Sequence, residues 1–200
     1  MTTFAFPDIT PTSSTFELVS NTRVFQSPLT NAVQTSSRKG SMWKATLQFN
    51  NLTGDQRSEM QAFLVKLNGQ QHRFTLKDHA YTRRGAGGGT LRVDGGSQSG
   101  TTLLCDGATA SINNYLRAGD YISFDGQLYM IVADTNSDAT GAVSLSIAPP
   151  LRFSPSNNQV ITYSGDVTGV FMLAGPASWS TELGIISSFT LEAVQDVLAT

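Results

Sequence analysis

The clearest pattern in the chain covers residues 41–49, where Trp43, Ala45, Leu47 and Phe49 alternate with Lys44, Thr46 and Gln48. Successive side chains of a strand point to opposite faces, so a period of two predicts a strand with one packed and one wet face. A similar alternation in residues 15–24 puts Phe16 and Leu18 on one side, and "HRFTLKD" places Phe74 and Leu76 inward, Arg73, Thr75 and Lys77 outward. Between these strands the period lengthens: Met60, Phe63, Leu64 and Leu67 recur at the i, i+3, i+4, i+7 spacing of one helix face. Thr53 with Gln56 three residues on makes a capping box and Gly69 a stop, predicting a helix at about 54–68. Four large apolar side chains, each contributing about 1.5–3 kcal/mol on burial, require that helix to lie on a sheet.

The pattern lapses at "RRGAGGGT", residues 83–90, where four of the five residues from Gly85 to Gly89 are glycine. Such a run favours a flexible hinge or turn, and a domain boundary is placed there. Beyond it, "TLRVDGG", "TTLLCDG", "DYISFDGQLYMIVAD" and "AVSLSIAPPLR" are short strand-like runs punctuated by Asp-Gly, Gly-Gly and Pro-Pro, the spacing of a small sandwich or barrel. Pro149 and Pro150 lack the amide hydrogen a ladder needs and are expected to end the last of these strands. A polar segment, "RFSPSNNQ", leads to further strands with Phe171, Leu173, Trp179, Phe189 and Leu191 as core or interface residues. Residues 27–40, "SPLTNAVQTSSRKG", read as a long polar, flexible loop running straight into the Trp43 strand.

Composition supports this picture. Charged residues are 14% against a usual quarter or so, while Gly numbers 18, a mixture that suits turn-rich β structure better than helical bundles. The formal net charge is −2 and no run of five like charges occurs, which argues against a nucleic-acid footprint or an anionic-membrane anchor. A single cysteine, Cys105, and an N-terminus without the secretory pattern fit synthesis in a reducing cytoplasm, and no stretch approaches the length of a membrane span.

No catalytic set stands out. The glycine run beside Arg83 and Arg84 has Thr90 where a dinucleotide fingerprint needs its third glycine, and it lacks the Gly-Lys-Ser/Thr of a P-loop. "DTNSDATG" offers Asp134, Asn136 and Asp138 at the first, third and fifth positions of an EF-hand, but Ala139 replaces the turn glycine and Leu145 the bidentate glutamate. It reads as a hairpin loop whose side chains satisfy their own backbone. His72, His79 and Cys105 are too few for a zinc site, and Cys105 sits in an apolar strand where an inert buried thiol is the usual case. Asp120 and Asp125, or Asp8 and Glu17, are the carboxylate pairs open to glycoside chemistry, with turn formation the simpler role for the first two. Tyr115, Tyr121, Tyr129, Tyr163, Trp43 and Trp179 would stack on sugars if exposed and grouped, which keeps a carbohydrate-binding β-sandwich as the second reading. Neither a cofactor nor a metal is expected, and no enzymatic activity.

"FELVSNTRVFQSPLTNAVQTSSRKGSMWKATLQFNNL", the helix ending "FLVKLNGQQHRFTLKD", the glycine-rich break, "LRAGDYISFDGQLYMIVAD", "APPLRFSP" and "FTLEAVQD" follow one another in an order that resembles a family of tailed-bacteriophage tail proteins, the distal tail or baseplate hub proteins. The likeness spans residues 16–196. It places Arg38, Gly40 and Trp43 on the family's Arg-x-Gly-x-x-Trp, and Pro149, Pro150, Leu151 and Arg152 on its Pro-Pro-Leu-Arg. The resemblance implies a tail-tube type β-barrel or sandwich from residues 1–82 and 160–200, with one packed helix, and a small inserted β-barrel or sandwich from 88–158. It further implies a structural virion protein at the tail tip, made in the host cytoplasm, whose partners are copies of itself in a ring, expected to be a hexamer, together with tail tube and tail hub or fibre proteins. No catalytic residue is carried over. On this resemblance "SPLTNAVQTSSRKG" becomes an arm that orders against neighbours, anchored by the Trp43 strand, and the scarcity of charge suits large shared interfaces.

Overall fold

The computed structural model describes residues 1–37, 40–181 and 187–198. The chain is mainly β, 45% strands and 7% helical, and includes a curled half-barrel sheet. In chain order come β1 (Thr3–Ala5), β2 (Ser13–Val19), β3 (Thr22–Gln26), β4 (Val33–Ser37), β5 (Met42–Phe49), helix α1 (Gly54–Lys66) and β6 (Arg73–Lys77). They are followed by β7 (Gly89–Val93), β8 (Gly100–Ala108), β9 (Tyr121–Phe124), β10 (Gln127–Ile131) and β11 (Val143–Leu151). The described strands close with β12 (Thr168–Leu173), β13 (Ser178–Thr181) and β14 (Ser187–Gln195).

Seven strands make the first sheet, in the order β1-β6-β12-β14-β5-β2 with β13 also paired to β14; five make the second, β7-β8-β11-β10-β9; among the described residues β3 and β4 pair only with each other. The alternation in β5 is realised as read: Trp43 is 4% exposed and Ala45, Leu47 and Phe49 are fully buried. Helix α1 begins at the anticipated box, the Gln56 amide donating to the Thr53 hydroxyl at 3.3 Å and the Thr53 amide to the Gln56 side-chain oxygen at 3.1 Å. Such a cap is worth about 1 kcal/mol. Met60, Phe63, Leu64 and Leu67 are buried against the first sheet, where Phe63 meets Phe74 edge-on with ring centres 5.7 Å apart. A second core gathers Leu91, Leu103, Ile122, Leu145 and Ile147 from the five-stranded sheet and extends beyond it to Ile161 and Tyr163.

Three expectations change. Residues 15–24 are not one strand: the ladder stops after Val19↔Met42 and resumes at Thr22↔Ser37, splitting β2 from β3. Pro149 and Pro150 do not end β11, which runs through them to Leu151. The ladder to β8 shifts register between Ser146 and Leu151, so the prolines lie in the stretch where no paired amide is demanded of them.

The third change concerns the glycine run, which is packed and hydrogen-bonded in place of the expected flexible hinge. Asp120, fully buried, accepts from the amides of Arg84, Gly85 and Arg117 at 2.8, 2.9 and 2.8 Å, and from the Tyr81 hydroxyl at 3.3 Å. The Ala86 and Gly87 amides donate to the carbonyls of Asn114 and Tyr115, and the Tyr115 and Tyr163 hydroxyls donate to those of Gly88 and Gly89. Glycine is required by approach: a Cβ at Gly85 would lie 2.5 Å from the Tyr115 carbonyl oxygen, and one at Gly89, where φ is +78°, 2.3 Å from that of Gly107.

Candidate assembly surface

β2 and β5 lead out of the first sheet into a projecting hairpin, β3 and β4, closed by a six-residue turn. There the Ser27 amide donates to the Ala32 carbonyl at 2.9 Å and the Asn31 amide to the Ser27 carbonyl at 2.9 Å. Pairing of Val24 with Thr35 and of Gln26 with Val33 sets both valines on one face, and the pairing of Phe25 with Gln34 sets the phenylalanine on the other. Neither face is covered: Val24 is 62% exposed, Phe25 57%, Val33 57%, and Leu29 in the turn 94%. A two-stranded hairpin with no packed face is at best marginally stable in water, and its free edges are templates for a further strand.

Charge marks the same segment. Residues 20–40 contain Arg23, Arg38 and Lys39 and no acidic residue, a formal +3 that leaves −5 on the remainder of the chain.

At the base of this arm the two larger sheets meet. The Trp43 indole donates from Nε1 to the Leu128 carbonyl at 2.9 Å, and its ring meets Tyr121 edge-on at 5.6 Å. Tyr81 meets the other side of that contact, 5.0 Å from Tyr121. The Val170 amide donates to the Gly126 carbonyl at 2.7 Å and the Gln127 amide group to the Asp196 carbonyl at 2.8 Å. The Arg152 guanidinium donates through Nη2 to the Ser41 carbonyl. Burial lowers the Arg152 pKa from its ordinary range, and among the described residues no carboxylate pairs with it. Burial likewise pushes the Tyr81 and Tyr129 phenols to about 12 and raises Tyr121, so the seam holds neutral rings.

The seven residues singled out from the sequence distribute as follows. Trp43 is buried in the seam, and Gly40, with φ +123°, lies against Asn21 where the arm rejoins the first sheet. Arg38 lies outside the described residues. Pro149 and Leu151 are buried on β11, Pro150 is half-buried beside them, and Arg152 reaches back to Ser41. The structure thus brings Gly40, Trp43 and Arg152 to the arm's base, their side chains engaged with the chain's own residues. The exposed apolar residues Val24, Phe25, Leu29 and Val33 were passed over in the sequence because polar neighbours outnumber them and no face of the hairpin repeats apolar residues at a period of two.

Several of the other candidate residues are engaged within the fold. Tyr115, Tyr121, Tyr129, Tyr163 and Trp43 are buried and only Trp179, at 43%, is exposed, so they form no sugar-stacking platform. Asp125, with φ +48°, and Gly126 make the two-residue turn between β9 and β10, whereas Asp120 is the buried hub of the glycine strap. Asp138 accepts from the Thr140 and Ala142 amides, and Asp134 and Asn136 accept from the amides of Ala118 and Asn114. The Thr140 hydroxyl and then these amides lower the Asp138 carboxyl, and the Ala118 amide lowers that of Asp134, the local backbone satisfaction expected of a hairpin loop. Cys105 is buried and its thiol is pushed up to about 12, away from nucleophilic use.

No family model matches the chain, and no curated protein matches it.

Proposed function

We propose that this chain is a structural subunit of a bacteriophage tail tip, assembling with copies of itself into a ring that joins the tail tube to the distal hub, with residues 88–158 as a small domain inserted into a tube-like one. The ring is proposed to be a hexamer, and the neighbouring tube and hub proteins are its further partners. The observation that carries the reading is the β3–β4 arm. It exposes Val24, Phe25, Leu29 and Val33 and, among the described residues, keeps both strand edges unpaired, a surface that favours association. Its formal +3 against −5 elsewhere favours another copy of the same chain as the occupant, since opposite potentials attract and like ones exclude. One arm per subunit suits a ring: where arm and receiving surface differ a contact can run head-to-tail, and such contacts form a ring when the rotation between subunits closes.

Deleting residues 28–38 tests this. The shortened chain is expected to keep its circular-dichroism spectrum and melting behaviour, while light scattering and negative-stain images show the oligomer lost. An oligomer of unchanged mass would remove the arm from assembly and with it the main support for a ring.

A further inference from the structure

We propose that Asn68, in the turn leading from α1 to β6, is a site of spontaneous covalent modification: the Gly69 backbone nitrogen displaces its side-chain amide and leaves an aspartyl or isoaspartyl residue at the helix end.

Asn68-Gly69 is the one Asn-Gly dipeptide in the chain. The reaction needs an unhindered nitrogen, a side chain open to water and a backbone able to turn one towards the other. Gly69 has no Cβ to screen its nitrogen, the space beside it holds nothing within 4 Å, and among the described residues its amide donates to no acceptor. Both residues are exposed, with φ +48° at Asn68 and +64° at Gly69. Asn31, Asn51, Asn114 and Asn158 also hold positive φ, but Ala32, Leu52, Tyr115 and Gln159 follow them, and each of those side chains crowds the attacking nitrogen. The turn itself is lightly held. The Asn68 amide donates to the Val65 carbonyl at 3.1 Å, the Gln71 amide to the Asn68 carbonyl at 3.3 Å and the His72 amide to the Leu67 carbonyl at 3.2 Å, while the Asn68 side chain donates through Nδ2 to that of Gln71. These backbone bonds lie at the long end of the usual range, on an exposed helix end where local opening costs little.

Opening lets the Asn68 backbone rotate until Cγ reaches the Gly69 nitrogen. As solvent base takes the amide proton, nitrogen bonds to Cγ; the Cγ–Nδ2 bond breaks and ammonia leaves, closing a five-membered succinimide. Water then opens the ring at either carbonyl. Attack at Cγ gives aspartate, and attack at the main-chain carbonyl routes the chain through the side chain as isoaspartate. Each product sets a carboxylate just past the last turn of α1, at the negative end of the helix dipole, and removes the donor to Gln71. Two residues on, the Gln70 side chain donates to the Leu173 and Ala174 carbonyls at 3.1 and 2.9 Å, so the change falls where α1 is tied to the end of β12.

The test uses the full chain, warmed at neutral and at alkaline pH and then digested with trypsin. Cleavage after Lys66 and Arg73 releases a peptide whose one asparagine is Asn68, followed by mass spectrometry with fragmentation. The same peptide incubated free is the unconstrained reference. Asn68 is expected to lose its amide ahead of every other asparagine, faster at alkaline pH, in two acid forms of different retention, and no more than about tenfold slower than the free peptide because the turn opens readily. Asn68→Gln, which would have to close a six-membered ring, is expected to keep its amide under the same conditions. Greater slowing in the folded chain, or earlier conversion of another asparagine, overturns the proposal.

Discussion

Two segments of this chain look alike on paper and behave in opposite ways. Residues 83–89 are rich in glycine and residues 20–40 in small polar side chains, and both invite assignment as flexible connections. The first is stitched along its length to residues 114–120 and to Tyr163, with Gly85 and Gly87 buried. The second is a regular hairpin whose two described strands expose their side chains, with only Ser27 in the turn half-buried. Order in the strap comes from a wall close enough to receive bare backbone, whereas the arm has strand pairing and no wall. Glycine content alone does not measure flexibility; what decides is whether another part of the chain fills the space the missing side chains leave.

The largest expected effect falls on the strap's hub. Asp120→Ala deletes one buried carboxylate and orphans the amides of Arg84, Gly85 and Arg117. Unmet buried donors cost about 1–3 kcal/mol each, partly relieved by entering water, so a loss of about 3 kcal/mol or more is expected in urea unfolding. A loss below about 1 kcal/mol would assign the strap's order to the two tyrosine hydroxyls instead. Next in size is Gly85→Ala. Its new methyl would overlap the Tyr115 carbonyl and the Leu116 backbone, 2.5 and 2.6 Å away, and backbone cannot swing aside as a side-chain tip can. Overpacking of this kind costs about 1–3 kcal/mol, seen as a lowered urea midpoint, whereas a truly flexible linker would be indifferent to the change or stabilised by it.

The contrast also shows what the sequence was able to reveal. β5 and α1 were legible because their packing partner is one continuous surface, which imposes a period on the side chains that face it: two for Trp43 to Phe49, and three to four for Met60 to Leu67. The strap has no such period, since its contacts are made by backbone and by Asp120, a residue 35 positions from Gly85 that the sequence presents as an ordinary turn former. The arm was half legible: its return into the Trp43 strand and its polar character were visible, but its start was not, since Thr22–Val24 read as part of the preceding strand, and a hairpin with no buried face loses the apolar rhythm that identifies a strand. Trp43 and Arg152 were singled out by resemblance, yet what they touch was not readable, because Arg152 and Ser41 are 111 residues apart and meet only through the stacking of two sheets.

The smallest effect on stability and the sharpest on association should come from the arm. Phe25→Ser with Leu29→Ser removes apolar surface that is largely open to solvent, 57% and 94% exposed in the parent. Substitutions at such positions usually stay within about 0.5 kcal/mol, so the urea midpoint should hardly move. If those side chains are buried by a neighbour, each forfeits about 1.5–3 kcal/mol of transfer free energy per contact, and closed rings count every contact, so the oligomer should dissociate at concentrations where the parent remains intact. Sedimentation across a dilution series reads this directly. A marked drop in monomer stability would mean that the arm folds back on its own chain, which would make it a second strap and dissolve the distinction between the two segments. Unchanged stability with unchanged association would leave the arm exposed in the assembly as well, and its apolar residues would then face a different protein.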